Sequence, residues 1–146
     1  MNSIKDLAFF QSLADYMNDH PDTFEILGEV DMTMGIIMFD PAGEDLRVCL
    51  PFEELGCASP TTMAAGQETG CDCWLEGDLA AWETMFKNIE AGDGATGRQT
   101  ISSLTLVGEH IEVHGIDPMG IDRFFRFNQT VQQFFDGAGQ LALSNS

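Results

Sequence analysis

Histidine and glutamate alternate late in the chain, where His110, Glu112 and His114 are separated by single residues. In an extended strand this spacing places all three side chains on one face. At about 3.3 Å per residue the two histidines lie roughly 13 Å apart, too far for both to reach one metal ion at about 2 Å. A site made of one histidine and Glu112 would need ligands from elsewhere in the chain. We therefore expect a solvated strand face and no metal.

The cysteines offer little more chemistry than this strand. Cys71 and Cys73 flank a single aspartate, so their thiols share one face of a strand. A four-ligand zinc site would need a second pair at suitable spacing, and Cys49 and Cys57, eight residues apart, do not supply it. With no secretory signal visible, we expect four free thiols that behave as small buried hydrophobic groups.

Motifs for nucleophilic catalysis and phosphate binding are not found in the sequence. Ser102 and Ser103 are not flanked by the glycines of a nucleophile elbow. The glycine-rich stretch 90–97 follows a predicted helix and lacks the Gly-Lys-Ser/Thr ending of a phosphate-binding loop. We predict that the protein is not an enzyme and has no cofactor. The weaker alternative is an enzyme that uses a carboxylate and a histidine of the last strand.

The charge of the chain restricts its partners. With 24 acidic and 6 basic residues the net charge is −18, so nucleic acid and anionic membrane surfaces would be repelled. The acidity is either an adaptation to high salt or that of an ordinary acidic protein. Without an apolar run of about 20 residues we expect no stable membrane insertion. Because no leader is seen, the expected location is cytoplasmic.

Hydrophobic periodicity gives the order of the elements. A helix begins at Ser3, with Asp6 in a capping-box-like position, and ends near His20. Residues 22–32 read as a short helix or an extended lead-in. The remaining predicted elements are strands at 35–39, 46–52, 71–75, 100–107 and 110–114, a helix after Asp78 that includes Ile89, and a final helix over 118–137. One domain of 1–146 is expected, divided into a helix at 1–20, a core at 21–137 and a frayed tail at 138–146.

The final helix has clear start and stop signals and a wide apolar surface. Asp117 suits the cap, Pro118 the first turn and Gly137 the end. On a helical wheel one face consists of Ile121, Phe124, Phe125, Val131 and Phe135, and Phe127 and Phe134 flank it. About half the circumference is apolar, more than a helix normally buries on one sheet. A lipid-like ligand, a second subunit, another helix or an ordinary buried core could cover it.

Two amides lie within that apolar face. Asn128 and Gln132 are four residues apart, and buried amides need hydrogen-bond partners. The polar end of a ligand could supply these partners, and so could the backbone.

Adaptable side chains recur in the middle of the chain. Met32, Met34 and Met38 fall on one side of the first strand, and Trp74 faces away from its neighbours Cys73 and Leu75. The helix after Asp78 carries Trp82, Met85 and Phe86. Such residues suit a cavity for varied apolar ligands, and they also suit an ordinary core.

Three stretches of the sequence carry a family resemblance: residues 35–40 (Gly-Ile-Ile-Met-Phe-Asp), residues 71–86 and residues 106–115. The first looks like the first strand of the sterol carrier protein-2 family. The second resembles the third strand and following helix of that family, including the early acidic residue, and the last resembles its glycine-punctuated late strands. The resemblance covers about residues 20–136.

The resemblance implies an α+β fold, with one five-stranded mixed sheet covered by helices and a C-terminal apolar helix over a hydrophobic cavity. It implies a carrier that holds a sterol, steroid, fatty acid or acyl thioester in an apolar tunnel. The expected ligand-binding residues are Phe124, Phe125, Phe127, Val131, Phe134 and Phe135, with Trp82, Met85 and Phe86 added. The alternative is a non-catalytic accessory module, like the ubiquinone-biosynthesis factors that look like this family, whose aromatic face forms a homodimer or binds a partner enzyme.

The sequence departs from the family pattern in two respects. Residues 91–98 replace the usual segment between the middle helix and the late strands. The charge of −18 is unlike that of the basic members that meet membranes, which argues against transfer by contact with anionic bilayers but not against binding.

Overall fold

The computed structural model describes residues 4–92, 94–106 and 109–144. The helices are α1 (Leu7–Asp19), α2 (Pro21–Glu25), α3 (Leu79–Gly92), α4 (Ile101–Leu104), α5 (Pro118–Arg126) and α6 (Asn128–Ser144). The strands are β1 (Val30–Phe39), β2 (Leu46–Glu54), β3 (Gly56–Cys57), β4 (Thr61–Thr62), β5 (Cys73–Asp78) and β6 (Ile111–His114). Within these residues, none of the helices is both long and apolar enough to cross a bilayer.

The strands form one mixed sheet in the order β3-β2-β1-β5-β6, with β4 paired to β2. The hairpin of β1 and β2 is antiparallel, whereas β1 and β5 are parallel, with Met34 opposite Cys73. The chain returns antiparallel through β6, which forms one edge of the sheet. The predicted mixed sheet of an α+β fold is confirmed.

The core lies on one face of this sheet. Alternate residues of the hairpin are buried there, as their spacing predicts: Met32, Met34, Met38, Val48, Leu50 and Phe52. Helices α1, α3 and α6 supply much of the other layer, and Phe124 of α5 is buried in the same core. Phe9 of α1 meets Phe86 of α3 with ring centroids 4.9 Å apart, and Phe134 of α6 meets Phe52 of β2 at 5.1 Å. The Trp82 indole donates a buried hydrogen bond of 3.1 Å to the Ile37 carbonyl, which ties α3 to β1.

The first helix forms as predicted but begins later. Asp6 is the N-cap and accepts a hydrogen bond from the Ala8 N–H. The sequence placed Asp6 three residues inside the helix, but in the structure it precedes the first turn. The predicted start at Ser3 falls outside the described residues. Residues 22–32 were predicted to be either a short helix or an extended lead-in. They begin within a short helix, α2, which has Pro21 in its first turn.

The predicted strand at 100–107 is wrong over the residues that the structure describes. Thr100 caps a short helix through its hydroxyl, which accepts from the Ser103 N–H. Ile101 and Leu104 are both buried, and their spacing of three fits a helical turn and not an alternating strand. Val107 falls outside the described residues.

The predicted final helix is two helices. Asp117 caps α5 by accepting from the Gly120 N–H, and Pro118 occupies the first turn, as predicted. The helical run then breaks at Phe127, and α6 continues to Ser144. The predicted end at Gly137 is wrong, because Gly137 lies within α6 and packs closely on Tyr16 of α1. The predicted frayed tail is helical as far as Ser144.

Candidate functional site

A depression of about 310 Å³ lies beside the edge strand β6, between the residues that follow α4 and helix α5. It is lined by Thr105, Leu106, Glu109, Ile111, Glu112, Val113, His114, Ile121 and Phe125. Five of these nine side chains are apolar, and the other four belong to Thr105, Glu109, Glu112 and His114. The volume is at the lower end of the range of small-molecule sites.

Two exposed apolar side chains distinguish this depression. Phe125 is 51% exposed and Leu106 is 62% exposed, although both types are normally buried. Ile121 stands one turn before Phe125 on α5 and lines the same depression. The helix is held close to the sheet because Gly120 packs directly on the backbone carbonyl of Asp72. The depression therefore presents apolar surface on a fixed helix.

A compact polar cluster borders the depression. Glu76 of β5 and Glu112 of β6 are directly opposed across the strand pair, an arrangement that like charges disfavour. His114 lies between them, with its Nε2 2.6 Å from Glu76 Oε1 and 2.9 Å from Glu112 Oε2. Trp74 stacks on the His114 ring at a centroid distance of 6.0 Å. The His114 imidazole therefore bridges the two carboxylates.

This cluster could also hold a cation. Its three donor atoms lie within 4.8 Å of one another, so they converge on a common point. A metal site made of His114 and Glu112 needs a third ligand, which would be Glu76 of the neighbouring strand β5. His110 precedes β6 and is not part of the group. Because the three side chains also satisfy one another, their geometry alone does not define a metal centre, and the absence of a metal stays a prediction.

The predicted ligand-binding residues are distributed between the core and the surface. Seven of the nine are buried in one cluster: Trp82, Met85, Phe86, Phe124, Val131, Phe134 and Phe135. Phe127 is partly buried against that cluster. Phe125 alone among the nine is exposed and lines the depression beside β6.

The buried rings cover one another within the subunit. The Phe135 ring makes edge-to-face contacts with Trp82 at 5.9 Å and with Phe86 at 5.6 Å. Edge-to-face packing of this kind adds to the stabilisation that comes from burial. In this state of the protein these seven side chains form an ordinary core, one of the alternatives open from the sequence.

The two amides of the C-terminal region bind protein groups. Gln132 Oε1 accepts a hydrogen bond of 2.6 Å from the Ile101 N–H, and its Nε2 donates to Asp136 Oδ1 at 2.9 Å. Asn128 Nδ2 donates to the Ser102 hydroxyl at 3.3 Å. The backbone alternative therefore holds for Gln132, and these bonds fasten α6 to α4.

The four cysteines are free thiols, as predicted. Burial raises the pKa of Cys57 and of Cys73 to about 12. Burial and the neighbouring Cys49 thiol also raise the pKa of Cys71 to about 12. Thiols with such pKa values are almost fully protonated near neutral pH, so they are poor nucleophiles.

These thiols should make the protein less stable in alkali. The ordinary thiol pKa is 9.0, so above about pH 9 the unfolded chain loses protons that the folded protein retains. The free energy of unfolding should therefore fall as the pH rises from about 9 towards 12. Urea midpoints measured at pH 7, 9 and 10 check this. The Cys57→Ala variant should show a shallower decline, and an identical decline in both proteins would contradict the assignment.

Solved structures share this fold. Sterol carrier protein 2 matches with a TM-score of 0.70 and 16% identity, over 93% of this chain and 97% of that one. A conserved hypothetical protein of Thermus thermophilus, named as a candidate sterol carrier protein, matches with a TM-score of 0.68 and 18% identity, over 92% of this chain and 86% of that one. Neither protein-family models nor curated protein sequences match the chain. The chain thus has the sterol carrier protein-2 fold.

Proposed function

We propose that the protein is a carrier of a hydrophobic small molecule, and that the apolar part of the ligand occupies the depression between β6 and α5. The observation that carries this proposal is Phe125, an aromatic ring left half exposed in an apolar depression. Side chains that would surround the ligand come from three segments: Leu106 after α4, Ile111 and Val113 of β6, and Ile121 of α5. Removing about 500 Å² of apolar surface from water, at about 25 cal/mol per Å², contributes about 12 kcal/mol. After an association cost of about 4 kcal/mol, this leaves roughly the 8 kcal/mol of micromolar binding.

We propose that the other eight predicted ligand-binding residues would contact the ligand only if it penetrates beyond Phe125 into the core. Phe124 lies on α5 next to Phe125, with ring centroids 5.2 Å apart, and is itself fully buried. A long ligand that passes Phe125 would therefore meet Phe124 first. The break at Phe127 separates α5 from α6, so an outward shift of α5 would break its packing on Asp72 but would not unwind α6. Such a shift would open the aromatic core to the ligand.

The alternative function is an interaction module. Ile116 and Met119 are also exposed, beside and on α5. Exposed apolar side chains mark protein interfaces where they form a patch. Sedimentation distinguishes the two functions: a stable oligomer that Met119→Asp dissociates would favour the interface, and a monomer that binds sterol would favour the carrier.

Replacing Phe125 by aspartate should remove most of the binding. The substitution deletes the half-exposed ring and adds a charge to an apolar surface, and burial of one such ring contributes about 1.5–3 kcal/mol. We expect affinity for a fluorescent cholesterol analogue to fall roughly tenfold to a hundredfold. The measurement is a fluorescence titration of purified protein.

The matched variant is Ile26→Asp. Ile26 is 90% exposed, follows α2 and does not line the depression, so the same kind of change should leave affinity unaltered. Equal affinities of Phe125→Asp and the parent protein would place the ligand elsewhere.

A further inference from the structure

We propose that the depression selects ligands whose polar head donates hydrogen bonds and carries no negative charge, namely hydroxyl or ammonium heads. This inference rests on the proposed binding of an apolar ligand there. It narrows the ligand classes, because fatty acids and other anionic amphiphiles would be rejected by the charges at the site.

The first observation is the sign of the charges that line the depression. Glu109 and Glu112 are both exposed at its border, and among the lining residues that the structure describes there is neither lysine nor arginine. Glu76, which contacts His114, adds a third carboxylate. An anionic head would therefore meet carboxylates and no permanent cation. The net charge of −18 acts in the same direction at longer range.

The second observation is that His114 is already engaged. Its Nε2 is bound by two carboxylates, Glu76 and Glu112. Even when the imidazole is protonated, the three groups together carry one net negative charge. His114 therefore cannot act as the positive partner of a ligand carboxylate.

The third observation concerns the arginines of α5. Arg123 Nη1 donates to the Asp31 carbonyl at 3.1 Å and lies 3.5 Å from Asp72 Oδ2, facing β1 and β5. Arg126 lies over the Phe127 ring at 5.8 Å. Neither side chain lines the depression, although both belong to the helix that forms one of its walls.

A donating head has partners in the same place. The Glu112 side chain is 69% exposed, so one of its carboxylate oxygens can accept from a hydroxyl or an ammonium group at the border of the apolar surface. Hydrogen bonds to an ionised acceptor are the stronger kind. The apolar part of such a ligand would then extend along Val113, Ile121 and Phe125.

The test compares three amphiphiles with a twelve-carbon chain: dodecylamine and laurate below their critical micelle concentrations, and 1-dodecanol below its solubility limit. Calorimetric titration of the full chain at pH 7.5 and low salt should give detectable binding of the amine and the alcohol. Laurate should bind about tenfold more weakly than the alcohol, because carboxylates repel across short distances near a protein surface. Raising the salt should narrow this difference, since the repulsion is screened.

Neutralising variants locate the effect. Glu112→Gln and Glu76→Gln should each improve laurate binding several-fold. Glu112→Gln should also weaken dodecanol binding, because it replaces the ionised acceptor of the hydroxyl, whereas Glu76→Gln should leave dodecanol binding nearly unchanged. The matched control is Glu83→Gln, which makes the same change in net charge on the exposed side of α3, away from the depression. It should alter neither affinity.

The outcomes separate this inference from the proposed function. Laurate binding as tight as that of dodecanol would overturn the selectivity and leave the carrier function standing. An equal improvement of laurate binding in Glu83→Gln would also overturn it, because the effect would then be one of total charge. If none of the three amphiphiles binds, the proposed site fails and the inference fails with it.

Discussion

Phe135→Ala should lower the free energy of unfolding by about 3–5 kcal/mol, the range found when a buried phenylalanine is truncated. Phe135 is fully buried in α6 and its ring packs against Trp82, Phe86 and Phe134. Its removal takes away apolar burial and leaves a cavity that three large rings cannot easily fill. Few substitutions in this protein should cost more.

Urea denaturation monitored by tryptophan fluorescence measures this loss, because Trp82 borders the cavity. Phe125→Ala provides the comparison, since it deletes the same ring from a half-exposed position. We expect a change within about 1 kcal/mol there, as for most exposed positions. Similar losses in both variants would mean that Phe135 is less enclosed than its contacts indicate.

Gly120→Ala should also destabilise the protein, by about 2–3 kcal/mol, because a methyl group at this position would collide with the backbone carbonyl of Asp72, which is held by the sheet. Overpacking against fixed backbone typically costs about 1–3 kcal/mol, because the helix must move instead. The same displacement of α5 should alter the depression, so binding of the cholesterol analogue should change together with stability.

Gly92→Ala is the matched substitution. Gly92 ends α3 and an added methyl group would meet open space. Alanine in a helix is favoured over glycine by roughly 0.5–1 kcal/mol, so this variant should be unchanged or slightly more stable. A stable Gly120→Ala protein with a normal urea midpoint would contradict the close packing of α5 on Asp72.

The periodicity of hydrophobic residues predicts correctly the helices and strands that bury only one face. In α1, Phe10, Ala14 and Met17 repeat with helical spacing and are all buried. In β2, Val48 and Leu50 alternate with partly exposed residues. Such patterns survive because each element meets one core on one face. The segment 101–104 was misassigned because four residues are too few to establish a period.

The aromatic surface of the last helices could be predicted only in part. One wheel does not describe both helices, because the helical run breaks at Phe127. Phe134, placed at the flank, is buried and Phe127 is partly buried, whereas Phe125, placed on the central face, is half exposed. The exposed ring of the predicted apolar face is therefore Phe125, which lines the depression beside β6.

The polar cluster was beyond sequence reasoning for a different reason. His114 and Glu112 share a face of one strand, which spacing alone predicts. Their meeting with Glu76 depends on the register of β5 and β6, two strands far apart in the chain. Register is set by tertiary packing and not by local pattern. The same holds for Leu106, whose exposure follows from the short helix α4.

The packing of α1 against α6 determines when the protein can finish folding during synthesis. These are the first and the last described helices, and they contact each other directly. Phe9 of α1 can meet Phe86 of α3 earlier, but the part of the apolar side of α1 that packs on α6 has no native cover until the residues of α6 have left the ribosome. Contacts between distant segments are slow to form, and uncovered apolar surface promotes aggregation. A nascent chain halted before α6 should consequently be a substrate for chaperones.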